Sequence, residues 1–249
     1  RELAFAPCLG TTDRSRSHFQ AQDLFELGNG HTQGRQGFLA RAGEATGGRV
    51  RSIGFSANPP LTLQGGDAEL LPLSGSGLQV RHDRTLDAIR AMHGTQASGK
   101  AIDQALASQA ELDRVTGMDP KAARGAAGVA GFPKAAATMA RILKEQTRIG
   151  LAFIDLGGFD THAEEESALG RSLPQLAEGL LALRDGLGAN WRRTTVLAMT
   201  EFGRTVRENG SAGTDHGTGG VMLMAGGAIR GGRAYGDWPG LGEGQLYAD

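Results

Sequence analysis

The sequence predicts an α/β fold with a mostly parallel central sheet and helices on both faces. Three apolar runs of strand length, at 149–155, 194–200 and 221–225, lie in the second half of the 249-residue chain. Patterns typical of amphipathic helices lie before the first run and between the first and the second. Apolar strands that alternate with helices in this way are typical of a sheet that is buried on both sides.

The first part of the chain carries weaker signals. Residues 1–14 are predicted to be irregular. A helix is predicted to begin at Ser15 or Ser17, either of which can cap it, and to end at Gly28. A second short helix is predicted over 36–41.

Further along, the sequence predicts a strand over 50–55 and a helix over 83–115, where apolar residues recur at helical spacing. The glycine- and alanine-rich segment 116–133 is predicted to be a loop. Helices are predicted over 134–147 and, on a repeat of leucines, over 172–187. Nothing around the loop indicates a domain boundary, so the whole chain, residues 1–249, is interpreted as a single domain.

Composition excludes several classes of protein. The chain has 26 basic and 27 acidic side chains and a formal net charge of −1, which argues against a protein that coats nucleic acid or binds a membrane through a polybasic surface. It has no run of about 18 apolar residues, so no transmembrane segment is predicted. The single cysteine, Cys8, excludes an internal disulfide framework. Glycine, with 40 residues, is about twice as frequent as usual, which indicates many tight loops.

Acidic, imidazole and guanidinium side chains lie beside the three apolar runs of the second half. Asp160 and His162 follow the first run, Glu201 and Arg204 follow the second, and Asp215 and His216 precede the third. Ligands of open α/β sheets bind beyond the carboxyl ends of strands, and Zn²⁺ and other divalent ions accept carboxylate with imidazole. The sequence therefore predicts a metal site at this edge of the sheet. The alternative is that each pair only forms a turn, a cap or a surface hydrogen bond.

Arg204 and Glu201 each have two interpretations. Arg204 can hold an anionic substrate group through two parallel hydrogen bonds, or it can form a surface ion pair with Glu208, four residues on. Glu201 can bind a metal ion, or it can cap the turn that follows its strand.

The segment before the first helix is a second candidate region. The dipole and the free N–H groups of a helix start favour an anion, so a hydroxyl there can act as a nucleophile. Thr12, Ser15 and Ser17 are the candidates, and Arg16 can hold the anion. Taken alone, these residues favour the alternative, which is helix capping beside a solvated basic turn.

Four segments together carry a specific combination of residues. They are Ser15-Arg16-Ser17-His18-Phe19, Gly157-Gly158-Phe159-Asp160-Thr161-His162, Thr200-Glu201-Phe202-Gly203-Arg204-Thr205 and Gly213-Thr214-Asp215-His216-Gly217. This combination resembles the DUF1501 family, whose bacterial members are distantly related to the alkaline phosphatase and sulfatase superfamily. The resemblance covers most of the chain and implies an alkaline phosphatase-like fold.

The resemblance implies a metal-dependent hydrolase whose substrate is a small anionic ester of phosphate or sulfate. Asp160, His162 and His216 would then hold one divalent ion, which is Zn²⁺, Mn²⁺, Ca²⁺ or Mg²⁺. Asp215 or Glu201 would be a further ligand of that ion.

Two positions depart from the superfamily pattern. Glu201 stands where an Asp-His pair usually holds a second ion, but phenylalanine follows it, which argues against a complete second site. Thr12 stands where sulfatases carry a modified cysteine, so formylglycine chemistry is excluded there. Ser15 is slightly favoured as the nucleophile, and Arg16 or Arg204 would hold the anionic group.

The resemblance also implies export through the twin-arginine route to the periplasm, although no signal peptide is visible. It further implies a chain that is truncated at both ends, because an early Gly-Gly-Ala-Asp-Gly-like loop and a terminal segment of the family are absent. An alternative of another class is a non-catalytic exported binding or assembly protein on a degenerate hydrolase fold. A third is an ordinary cytosolic α/β protein whose Asp and His residues cap turns.

Overall fold

The computed structural model describes residues 2–55, 60–66, 68–71 and 131–246. The predicted helix over 83–115 and most of the predicted loop over 116–133 lie outside these residues. The last residues of that loop, Phe132 and Pro133, form the first turn of a helix instead.

The described part of the chain contains eight strands and four α-helices. The strands are β1 (Leu3–Leu9), β2 (Arg51–Phe55), β3 (Ala68–Leu71), β4 (Ile149–Ile154), β5 (Val196–Ala198), β6 (Arg204–Glu208), β7 (Thr214–His216) and β8 (Gly220–Ala225). The helices are α1 (His18–Leu27), α2 (Phe38–Ala45), α3 (Phe132–Glu145) and α4 (Glu165–Leu187), with 3₁₀ helices at Leu61–Leu63 and Gly188–Arg193. The helices and strands predicted within these residues are confirmed, with ends that differ by a few residues.

The prediction that residues 1–14 are irregular is wrong, because β1 pairs with β8 along one side of a sheet. Ala4 and Ala6 are buried, whereas Leu3 and Phe5 are exposed, so the strand does alternate between its two faces. The buried positions are alanines, which contribute little hydrophobic signal. The alternation is therefore weak in the sequence.

Helix α1 begins and ends where the sequence indicates. Ser17 is the N-cap residue in extended conformation, and Gly28 ends the helix with a left-handed φ of 56°, which glycine adopts without strain. The Ser17 side chain makes no cap hydrogen bond. The Ser17 N–H instead donates to Ser15 Oγ at 3.1 Å, so the turn before α1 is held by Ser15.

Helix α4 is longer than the leucine repeat predicts, since it begins at Glu165 rather than at 172. Its first turn carries Glu165 and Glu166, whose negative charges favour a helix N-terminus. Acidic side chains add no apolar residue to the periodic pattern, so the leucine repeat does not indicate this turn.

No helix among the described residues is both long enough and apolar enough to span a lipid bilayer.

The strands form one parallel sheet and two antiparallel ones within the described residues. The parallel sheet has the order β3-β2-β4, and Phe55 of β2 pairs with Leu71 and with Ile154. The first antiparallel sheet has the order β1-β8-β5, and β6 with β7 forms a hairpin. The predicted α/β class is confirmed.

One apolar cluster joins α3 and α4 to both three-stranded sheets. It contains Ile53 of the parallel sheet, Ala225 of the antiparallel sheet, Met139 of α3 and Leu187 of α4, all of them buried. The two sheets therefore share a core. The polar loops that follow β4 and β5 begin at the ends of strands that are anchored in this core.

Gly179 lies where α4 packs on α3, and a Cβ there would overlap the ring of Phe132. We expect Gly179→Ala to lower the free energy of unfolding by about 1–2 kcal/mol, because the ring must move within a packed interface. Gly170 of the same helix has no neighbouring atom within 4 Å of such a Cβ. Gly170→Ala is therefore the control, expected to raise the free energy of unfolding by up to about 1 kcal/mol through helix propensity. Urea denaturation of both variants tests this, and shifts of the same sign would contradict it.

Candidate metal centre

Polar residues from three separate elements meet beside the start of α1. His18 is the first residue of α1, Asp160 lies in the loop after β4, and His216 is the last residue of β7. One ligand atom from each of these side chains lies within 4.8 Å of the other two. These three residues, called the triad below, could hold a metal ion.

Asp160 is the centre of the contacts. Its Oδ1 lies 3.1 Å from His216 Nε2 and 3.0 Å from His162 Nε2. Its Oδ2 lies 3.2 Å from His18 Nε2. Three imidazole rings therefore turn the same nitrogen, Nε2, towards one carboxylate.

Behind each imidazole, the other ring nitrogen faces an oxygen atom. The pairs are His18 Nδ1 with Glu201 Oε1 at 2.7 Å, His216 Nδ1 with the Arg16 carbonyl oxygen at 2.7 Å, and His162 Nδ1 with Asp215 Oδ1 at 3.2 Å. An oxygen acceptor favours the tautomer whose proton is on Nδ1, and the Nε2 lone pair then faces Asp160. Partners of this kind orient the histidines that bind metal ions.

The arrangement of donor atoms fits a divalent ion. His162 Nε2 and His216 Nε2 lie 2.9 Å apart, and with protons on both Nδ1 atoms their lone pairs repel each other. A proton or a cation beside the two nitrogens relieves that repulsion. Imidazole nitrogen with carboxylate oxygen is a donor set that Zn²⁺ takes.

The carboxylates of this centre are held in their ionised form. Burial acts to raise the pKa of Asp160, but its polar neighbours, Arg204 first among them, outweigh burial and lower that pKa to about 2. Burial likewise opposes the change at Glu201, whose pKa is lowered mainly by its hydrogen bond with His18. The same hydrogen bond is the largest cause of the raised pKa of His18.

Arg204 uses all three of its guanidinium nitrogens within the protein. Nη1 donates to Asp160 Oδ1 at 2.5 Å, Nε donates to Thr214 Oγ1 at 3.0 Å, and Nη2 donates to the Thr214 carbonyl. Arg204 therefore joins the β6–β7 hairpin to Asp160 and fixes the orientation of that carboxylate.

Phe202 closes one side of the centre. Its side chain is buried, and its ring centroid lies 4.8 Å from that of His18 and 4.5 Å from that of His216. Glu201 turns its carboxylate to the rear of His18, and the next residue packs against the imidazoles. Phe202 thus supplies an apolar ring next to the triad.

Two glycines allow the backbones around the hairpin to approach closely. A Cβ at Gly203 would overlap the Gly219 carbonyl, and one at Gly217 would lie 2.6 Å from the Arg204 carbonyl oxygen. The Gly217 N–H donates to the Gly203 carbonyl oxygen at 2.8 Å. This packing holds His216, next to Gly217, against Phe202.

The structure brings the predicted ligand residues together, some of them around Asp160 and the others behind the histidines. Asp160 and His216 belong to the triad, and His162 contacts both of them. Glu201 and Asp215 contact the histidines from behind.

Ser15 and Arg16 lie in the turn before α1. Ser15 is exposed, and its Oγ donates to Asp13 Oδ2 at 2.7 Å. Arg16 has a left-handed φ of 55°, and its carbonyl oxygen contacts His216 Nδ1. The turn is therefore part of the same centre through its backbone.

The sequence patterns indicate no role for His18, Asn209 or Thr214. His18 and its partner Glu201 are 183 residues apart, so no local spacing indicates that they meet. The one available signal is the position of His18 inside a motif at a helix start. Asn209 and Thr214 act through the hairpin, which the sequence did not predict.

We expect Glu201→Gln to lower the pKa of His18 in the metal-free protein, because the hydrogen bond with Glu201 is the main cause that raises it. A folded-state pKa above the reference value of 6.5 means that this pair stabilises the metal-free fold below that pH. The stabilisation is lost as the pH rises through the folded-state pKa. NMR titration of the His18 imidazole measures the change. Glu208→Gln, at an exposed position of β6, is the control. An unaltered His18 titration in Glu201→Gln would contradict the prediction.

The comparisons with known proteins place the chain in a family. No curated protein matches it significantly, and neither does any solved structure. A family model described as a protein of unknown function, DUF1501, matches residues 8–247. All residues of the centre fall within that match, and the chain belongs to the DUF1501 family.

Proposed function

We propose that the protein is a metal-dependent hydrolase of phosphate or sulfate esters. The observation that supports this best is the common orientation of three imidazoles, since the Nε2 atoms of His18, His162 and His216 all face Asp160. Donors from separate segments that converge on one point are typical of an ion site. The resemblance of the DUF1501 motifs to the alkaline phosphatase superfamily supports the reaction class.

The proposed ligands are three imidazole nitrogens, from His18, His162 and His216, and one carboxylate oxygen, from Asp160. Imidazole suits Zn²⁺, whereas Ca²⁺ and Mg²⁺ prefer oxygen donors, so Zn²⁺ is the first candidate. A bound ion of this kind polarises an ester oxygen and lowers the pKa of a bound hydroxyl or water.

The residues around the ligands prepare the site for that chemistry. Arg204 holds Asp160 in its ionised form, because its guanidinium donates directly to the carboxylate. Glu201 and Asp215 keep a proton on Nδ1 of His18 and His162, which leaves each Nε2 free to bind.

Ser15 is the proposed nucleophile, in preference to Thr12 and Ser17. Its Oγ donates to Asp13 Oδ2, so Asp13 is placed to accept the proton when the hydroxyl attacks. Ser15 also immediately precedes Arg16, whose carbonyl oxygen contacts His216. Ser15→Ala is expected to remove turnover and to retain the metal.

We also propose that the two three-stranded sheets continue into one mostly parallel, alkaline phosphatase-like sheet. β4 and β5 are edge strands of their sheets, and α4 connects them. A strand–helix–strand connection favours parallel pairing of its strands. The order would then be β3-β2-β4-β5-β8-β1, with β8 antiparallel to the rest. NOEs between backbone protons of β4 and β5 would support this order, and their absence would contradict it.

Metal content tests the proposed function first. The wild-type protein, equilibrated with Zn²⁺ and then desalted, is expected to retain one equivalent, and His162→Ala and His216→Ala are expected to retain less. His31→Ala, at an exposed position outside the centre, is the matched control. Stoichiometric metal in both of the first two variants would rule out the assignment.

Turnover tests the reaction class. Aryl phosphates and aryl sulfates are offered with added Zn²⁺, Mn²⁺, Ca²⁺ or Mg²⁺. Hydrolysis that disappears in His216→Ala and persists in His31→Ala would support the hydrolase.

A second candidate function is ion-dependent binding or assembly without catalysis. It is favoured by Phe202, a buried ring beside the triad, because the superfamily pattern that the motifs resemble has a histidine at this sequence position. Metal retention without hydrolysis of any ester would support this function over the first.

Family membership supports a third proposal, which is export through the twin-arginine route to the periplasm. Fractionation of cells that express the native gene tests it. Protein that stays in the cytoplasm of wild-type cells would contradict it.

A further inference from the structure

The loop that joins β6 to β7, residues 209–213, is docked on the chain around His162. Three backbone hydrogen bonds connect the two segments: Thr214 N–H to the Thr161 carbonyl at 3.1 Å, Glu164 N–H to the Ser211 carbonyl at 3.0 Å, and Glu165 N–H to the Ala212 carbonyl at 2.8 Å. The loop is thus bonded to the chain both before His162, at Thr161, and after it, at Glu164 and Glu165. Its contacts fix the backbone that carries this imidazole.

Asn209 connects the loop to His162 in two ways. Its Nδ2 donates to the His162 carbonyl at 3.0 Å and to Asp215 Oδ1 at 3.1 Å. The same Asp215 oxygen contacts His162 Nδ1, so one amide group holds both the backbone and the side-chain partner of this histidine. On its other side, Asn209 Oδ1 accepts the N–H groups of Ser211 at 2.9 Å and Gly213 at 3.2 Å.

Gly213 provides a second, independent contact. A Cβ at this position would overlap the carbonyl carbon and oxygen of His162. The loop therefore lies as close to the His162 backbone as a glycine permits. Any larger residue at 213 must displace one of the two segments.

The other two histidines have different supports. His18 is held by Glu201 and His216 by the carbonyl of Arg16, and neither contact involves the loop. Disturbing the loop is therefore expected to move His162 while the triad stays in place.

We propose that Asn209, with the close approach at Gly213, is the positioning element that makes His162 a ligand of the metal ion. Asn209 acts through Asp215 and the His162 carbonyl and does not touch the ion. This inference rests on the proposed metal centre. The centre then has two parts. The triad is held from α1 and by Arg204, whereas the fourth ligand, His162, is held by the 209–213 loop.

The Asn209→Asp variant distinguishes the positioning of His162 from the folding of the 209–213 loop. The carboxylate keeps an acceptor for the Ser211 and Gly213 N–H groups but cannot donate to the His162 carbonyl or to Asp215. We expect the Zn²⁺ affinity to fall about 10–100-fold, as for the loss of other outer partners of metal ligands. X-ray absorption of the Zn²⁺-loaded protein is expected to show one histidine ligand fewer. A purely structural role of Asn209 would lower the melting temperature and leave the coordination unchanged.

The chain offers matched controls. Asn29 makes a similar contact within its own loop, since its Oδ1 accepts the His31 N–H as Asn209 Oδ1 accepts the Ser211 N–H, whereas its Nδ2 donates to the Gln33 carbonyl. Asn29→Asp should leave affinity and coordination unchanged. Gly213→Ala should act like Asn209→Asp, whereas Gly210→Ala, where no atom lies within 4 Å of the added Cβ, should act like wild type.

A double-mutant cycle completes the test. In a His162→Ala background, Asn209→Asp should cause no further loss of affinity, because the ligand that it positions is already gone. Additive losses, or wild-type coordination in both Asn209→Asp and Gly213→Ala, would overturn this inference and leave the metal centre standing. A wild-type protein that binds no Zn²⁺ would overturn both.

Discussion

Asp160→Asn is expected to lower the affinity for Zn²⁺ by more than about a hundredfold, which is beyond the loss expected from removing an outer partner. The amide matches the carboxylate in size but removes the negative charge that three imidazoles and Arg204 face. With a pKa of about 2, Asp160 is fully ionised at neutral pH, so its whole charge is lost. Competition with a chromophoric chelator measures the affinity.

Asp185→Asn is the matched control for this substitution. Asp185 pairs with Arg184 on the exposed surface of α4, with Nε and Oδ1 2.9 Å apart. Its loss should leave the metal affinity unchanged, since exposed ion pairs contribute little and this one lies outside the centre. Wild-type affinity in Asp160→Asn would show that the carboxylate takes no part in binding.

Gly203→Ala is expected to lower the free energy of unfolding by about 3 kcal/mol, at the upper end of the usual cost of overpacking. The added Cβ would overlap the carbonyl of Gly219, which is backbone and cannot rotate away as a side chain can. Relief of the overlap must shift the chain between β7 and β8. His216 lies in that part of the fold, so metal affinity should fall together with stability.

Gly210→Ala provides the comparison within the same hairpin, because no atom lies within 4 Å of its added Cβ. Urea denaturation followed by circular dichroism measures both variants. Equal stability of Gly203→Ala and Gly210→Ala would contradict the close backbone approach between Gly203 and Gly219.

The elements that could be predicted from the sequence are those with strong local patterns. The apolar run at 149–155 became β4, and the repeated leucines became the C-terminal two thirds of α4. Gly28 ends α1 because the left-handed conformation at this position suits glycine. These signals depend on neighbours in the chain, which a single sequence displays directly.

The elements that could not be predicted depend on partners that leave no apolar pattern in the sequence. Strands β6 and β7 carry polar and charged residues without apolar alternation, and they exist because they pair with each other and hold Asp160 through Arg204. The same reason applies to the site. Residue type and the family resemblance together predict Asp160, His162 and His216 as ligands, whereas His18 is brought to them by the fold.

The site joins parts of the chain that are far apart: Glu201 is 183 residues from His18, and His216 is 200 residues from Arg16. Contacts of such separation require the closure of long loops, and the entropy of that closure opposes folding. An ion that requires all of these contacts binds the fully folded chain and not partly folded forms. By mass action, Zn²⁺ at one hundred times its dissociation constant would stabilise the native state by about 2.7 kcal/mol. Metal supply would therefore raise the folded fraction of the chain, in addition to any chemistry at the centre.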